Sequence, residues 1–119
     1  MEKTIIIDDK PVRFIATAST LRRYRAKFPK RDLITDVELL VNSAKKGALT
    51  PYDLETFEDM AYIMASQGNN DIPEDVNEWL DGFSMFSVYD ILPELLTLWN
   101  DSRVTQSEEK KNNVVQKGA

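Results

Sequence analysis

The residues that most often do chemistry are missing from this chain: its 119 residues include no histidine and no cysteine. Without cysteine there is no thiolate nucleophile, no disulfide and no sulfur-ligated zinc site. Without histidine the commonest general acid/base and transition-metal ligand is gone. Catalysis would have to rest on carboxylates, lysines or hydroxyls alone. Judged against the roles catalysis assigns, the chain reads as a non-enzyme with no catalytic residue, no metal site and no cofactor.

What remains is charge and aromatic surface. Residues 1–31 carry nine Lys/Arg against three acids, whereas residues 32–100 carry two lysines against fourteen acids. These segments net +6 and −12, and the last nineteen residues bring the total to −5. A chain divided in this way can attract its own copies head to tail, or hold two partners of opposite sign.

Three stretches are candidates for contact. The basic run Leu21 to Arg31 (LRRYRAKFPKR) offers Arg22, Arg23, Arg25, Lys27 and Arg31. It admits three readings: phosphate neutralisation with Tyr24 and Phe28 stacking on bases, a contact with an acidic protein surface, or a solvated face above a core of Tyr24 and Phe28. The acidic segment beside it would repel a phosphate backbone, so no nucleic-acid partner is expected. Asp71, Glu74, Asp75 and Glu78 recur at i, i+3, i+4 and i+7 of a predicted helix. Ligands on one rigid helix wrap a cation poorly, so the plainer reading is a solvated or partner-facing acidic face. The stretch Trp79 to Trp99 is the most aromatic. Helical spacing explains much of it as core, with Trp79, Phe83, Met85 and Phe86 as candidates for partner binding or self-association.

The elements that would position these residues follow from periodicity and punctuation. Thr4–Ile7 and Pro11–Ala16 read as strands of a hairpin (about residues 3–16) around Asp8-Asp9-Lys10. Thr17 or Ser19 caps a first helix with Leu21, Tyr24 and Phe28 inward, ended by Pro29. Leu33, Ile34, Val37, Leu40, Val41 and Ala44 form the stripe of a second helix, closed by Gly47. Thr50-Pro51 restarts the chain into a third helix with Leu54, Phe57, Ala61 and Met64 buried, and Gly68-Asn69-Asn70 stops it. Ile72-Pro73 opens a fourth helix carrying Val76, Trp79, Leu80 and Phe83. Ser87 caps a fifth, in which Pro93 demands a kink or a restart.

The expected fold is therefore mainly α: a small domain of about five helices with an N-terminal β-hairpin over residues 1–100, then a flexible tail over 101–119. The 42% hydrophobic content and eleven aromatics suffice for one core. No segment reaches the roughly 20 apolar residues of a membrane span. The N-terminus MEKTIIIDDK has too short an apolar run for a secretory signal, so a cytosolic protein with no membrane contact is expected.

The strings ATASTLRRYRAKFPKRDL (16–33), FEDMAYIMASQ (57–67) and DIPEDVNEWLDGFSMFSVYDILPELLTLW (71–99) resemble the tail assembly chaperones of long-tailed phages and prophages of Gram-positive bacteria. The similarity runs from about Ile5 to Trp99. Its most specific parts are Tyr24-Arg25 before Phe28, and Glu78-Trp79-Leu80 with the Leu92-Pro93 helix behind it. The resemblance implies a non-enzymatic assembly factor in the bacterial host cytoplasm. Such a factor holds the tape measure protein soluble, yields it to tail tube subunits, self-associates and is absent from the finished virion. In that family a ribosomal frameshift extends the short form into a longer one that recruits the tail tube protein; this chain matches the short form, with Lys110-Lys111 or Lys117 as candidate slippage codons. Two other readings share the helical fold: a head–tail joining or regulatory adaptor of phage or host, and a nucleic-acid-binding regulator.

Overall fold

The structure, a computed structural model, describes residues 1–102 of the chain. It opens with an antiparallel hairpin of β1 (Glu2–Ile7) and β2 (Lys10–Ile15), in the register Ile7↔Lys10, Ile5↔Val12. Asp8 and Asp9 form its two-residue turn at φ of 52° and 65°. Positive φ at both central positions defines the type I′ turn, whose twist matches that of the strands it joins. Aspartate is one of the few non-glycine residues that tolerate this region. One face of the hairpin buries Ile5, Ile7 and Phe14, while Ile6 on the other stays exposed.

Six helices follow, so the fold is mainly α with an N-terminal hairpin. They are α1 (Ala18–Lys27), α2 (Leu33–Lys45), α3 (Pro51–Gly68), α4 (Val76–Leu80), α5 (Ser87–Asp90) and α6, residues 92–102. The start signals act largely as their side chains dictate. Asp32 accepts from the Ile34 N–H at 3.2 Å, and Thr50 and Asp53 exchange two bonds of 2.8 and 3.1 Å at the head of α3. Gly47 sits at φ 67°, the left-handed position after α2. Pro93 produces a restart, which divides the expected fifth helix into α5 and α6.

α3 is the centre of the domain. Every residue from Thr56 to Ala65 except Glu58 is buried, so its expected one-sided stripe is too narrow. A helix covered all round requires neighbours on several sides, and α3 has them in β2, α1 and α2. Its last turn lies so close to β2 that a Cβ added at Gly68 would stand 2.3 Å from the Arg13 carbonyl oxygen. Polar bonds complete the seam: the Thr20 hydroxyl donates to Gln67 Oε1 at 2.7 Å, and Gln67 Nε2 donates to Thr17 Oγ1 at 2.6 Å.

Several expectations need correcting. In α1 the buried pair is Thr20 and Tyr24, while Leu21 and Phe28 are half-buried. In α2, Ile34 is exposed and Asp36 is buried in its place. The fourth helix starts at Val76, capped by Asp75, and not at Ile72-Pro73. Asp71, Glu74 and Asp75 therefore precede the helix, and the four acids do not share one of its faces. Ser87 does not cap α5; Phe86 holds that position and the Ser87 hydroxyl is bonded elsewhere. Residues 101 and 102, expected in a flexible tail, are helical; the rest of that expected tail, residues 103–119, with the candidate slippage positions Lys110-Lys111 and Lys117, lies outside the described residues.

Candidate protein-interaction surface

The basic run does not form one patch. Pro29 ends α1, and Lys30 turns the chain at φ 70°, which sends Arg31 inward. Its guanidinium donates to Asp59 Oδ2 at 2.7 Å, to Thr56 Oγ1 at 2.9 Å and to Asp36 Oδ2 at 3.3 Å. It also lies 5.0 Å from the Tyr52 ring centroid and 5.8 Å from that of Tyr24. Tyr52 and Tyr24 in turn donate their hydroxyls to Asp36, at 2.9 and 3.3 Å. With 17% of its side chain exposed, Arg31 pins the α1–α2 connection onto α3.

The other cations of the run are at the surface. Lys27 donates to the Glu74 carbonyl and covers the Tyr62 ring at 5.7 Å, tying down the segment before α4. Arg23 reaches Ser19 at 3.2 Å on its own helix. Arg22 and Arg25 are exposed and form no ion pair with a described residue.

Burial pushes the Asp59 carboxyl up to about 6, outweighing the pull of Arg31. A carboxyl in that range is what a general acid or base needs. Here, however, the Asp59 oxygen is bound to Arg31, which also donates to Asp36 and Thr56 and lies 3.6 Å from Glu55. The cluster works as a joint between elements. An acid whose folded pKa lies above its unfolded value of 3.8 binds its proton more tightly when folded, so stability falls as pH rises through 4 to 6. Lowering the pH from 7 to 5 is accordingly expected to stabilise the protein, on the order of 1 kcal/mol from this group. Urea unfolding at both pH values checks it, with Asp59→Asn expected to flatten the difference.

The aromatic stretch divides into core and surface. Trp79 is buried, stacked edge-on against Tyr62 at 5.9 Å and against half-buried Phe83 at 5.3 Å. Met85 and Phe86, two residues further on, are 79% and 69% exposed, the most exposed large apolar side chains described. Leaving two such side chains in water is unfavourable unless something covers them.

This apolar tip is held in place by the hairpin turn, 76 residues away in sequence. Asp8 accepts from the Ser84 N–H at 2.6 Å, from the Ser84 hydroxyl at 2.8 Å and from the Ser87 hydroxyl. Lys10 donates to the Gly82 carbonyl at 2.9 Å and lies 5.7 Å from the Phe83 ring centroid. The three hydroxyl and amide donors hold the Asp8 carboxyl below its usual value, so the clamp is intact above pH 4 and is lost as pH falls through that lowered pKa. Asp8→Ala is expected to free the tip without unfolding the core. Faster amide exchange confined to residues 82–87 checks this, and an unchanged Ser84 amide contradicts it.

Sequence reasoning found the tip but missed Asp8, Ser84 and Ser87, whose pairing has no local signal. It also missed a groove of about 510 Å³ between α3 and α4, lined by Leu54, Glu55, Glu58, Asp59, Leu80 and Tyr89 among others. Among the described residues no group of acids is placed to hold a metal ion, and no helix is long and apolar enough to cross a membrane. Compared with known proteins, the chain matches no family model, no curated protein and no solved structure.

Proposed function

We propose that this protein is a binding protein without catalytic activity, acting as a phage tail assembly chaperone that holds the tape measure protein soluble in the host cytoplasm. The observation that carries the reading is the Met85–Phe86 tip, apolar, exposed and fixed by Asp8. A tip that is already ordered gives up little conformational entropy on contact, so a small apolar surface can hold a partner and still release it. The resemblance of residues 16–33, 57–67 and 71–99 to such chaperones gives the partner its identity. The clustered Arg22, Arg23 and Arg25 against the acidic remainder favour association between copies, and a longer frameshifted form would carry the contact with tail tube subunits.

The test is co-expression with the tape measure protein encoded beside it. The long protein is expected in the soluble fraction with the native chain, and largely in the pellet with a Met85→Asp/Phe86→Asp variant. Both positions are exposed, so the variant keeps its fold. Equal insolubility with and without the native chain would sink the reading.

A further inference from the structure

The 510 Å³ groove does not end at α4. Leu80 and Tyr89 line it and also line a second recess of about 330 Å³ beneath Met85, so the two form one track leading to the tip. The floor is apolar, from Leu54 on α3 through Leu80 to Tyr89. Along α3 the track follows residues 51–59, about 12 Å or two helical turns. Its rim carries Glu55 and Glu58, the latter accepting from the Tyr89 hydroxyl, with buried Asp59 beneath, and no lysine or arginine lines it. Arg31 stands behind it, bonded to Asp59, Thr56 and Asp36, with Glu55, 63% exposed, at 3.6 Å from its guanidinium.

We propose that this track is the docking site for a basic amphipathic helix of another protein, whose apolar stripe lies on Leu54, Leu80 and Tyr89 and whose lysines or arginines sit over Glu55 and Glu58. Charge selects the occupant. Two carboxylates beside an apolar floor repel an acidic helix and attract a cationic one. The fixed Met85–Phe86 tip then meets the far end of the helix. A second copy of the chain is poorly suited, because its exposed arginines on α1 stand beside Thr20 and Tyr24, which are buried, and offer no free apolar stripe. The inference deepens the chaperone reading and rests on it for the nature of the client, a largely helical protein.

The experiment uses the full-length protein, isotopically labelled, titrated with a synthetic peptide of about 18 residues in which leucine and lysine alternate at helical spacing. Its counterpart with glutamate for lysine serves as control. Amide shifts are expected at Glu55, Glu58, Leu80 and Met85 with the lysine peptide and not with the glutamate peptide. Glu55→Lys and, separately, Met85→Asp are each expected to weaken binding roughly tenfold, and added salt to weaken it further. Both side chains are largely exposed, and matching spectra away from the track establish that each variant is folded. No shifts, shifts confined to Arg22–Arg25, or equal binding of both peptides would overturn the proposal. So would concentration-dependent sedimentation of the native chain alone that Glu55→Lys abolishes, which would give the track to a second copy. If Glu55→Lys solubilises the tape measure protein as well as the native chain does, the track is not the client's docking site and the chaperone reading stands.

Discussion

Arg31→Ala is expected to cost about 3–5 kcal/mol of folding stability, the largest loss from any one of the exposed-looking cations in the basic run. Asp36 and Asp59 are buried, and each would lose its charged donor while staying out of water. Thr56, fully buried, would lose its donor as well. Arg31→Lys keeps the charge but not the fork that reaches three acceptors at once, so it should recover only part of the loss. Arg22→Ala and Arg25→Ala, at exposed positions with no ion pair to a described residue, should change stability by less than about 0.5 kcal/mol. Urea midpoints followed by tryptophan fluorescence decide the matter. Similar losses in all three alanine variants would show that Arg31 is not the pin described.

The second large effect is expected at Gly68. An alanine there places its Cβ 2.3 Å from the Arg13 carbonyl oxygen, and the obstacle is backbone, which cannot swing aside as a side chain would. Either β2 moves off α3 or the last helical turn unwinds, at a cost of about 1–3 kcal/mol. Alanine's better helix propensity returns at most about 1 kcal/mol. Gly68→Ala should therefore lower the thermal midpoint, whereas Gly47→Ala meets no atom and strains only the local backbone at φ 67°. An unchanged or raised midpoint for Gly68→Ala would mean the hairpin sits further from α3.

Those two residues also mark where the sequence stops being legible. Thr50-Pro51, Asp32 and Gly47 announce helix ends through bonds made within a few residues, and the elements they bound are where periodicity places them. Gly68 reads as a helix stop, which it is, but the reason for glycine is clearance from a strand more than fifty residues earlier. Arg31 looks like one more member of LRRYRAKFPKR; only the positive φ of Lys30 turns it inward. The polar interruption of the α2 stripe at Asp36, five residues from Arg31, was a usable signal of a buried pair. Trp79 and Met85 are equally apolar in a list of letters. Which is core and which is surface depends on Tyr62 and Phe83 flanking the first and on the clamp that turns the second outward. The track has no signature at all, because Leu54, Leu80 and Tyr89 come together only through tertiary packing.

The clamp also has a consequence in time. A ribosome delivers Asp8 near the beginning of synthesis and Ser84 and Ser87 near the end of the domain, yet the tip takes its shape only when they meet. A contact spanning 76 residues cannot form until most of the domain has been synthesised. Met85 and Phe86 would thus act as a completion mark for the proposed client: a partner that required them in this shape would pass over nascent and half-folded copies, and engage only molecules in which Asp8 has already met Ser84 and Ser87.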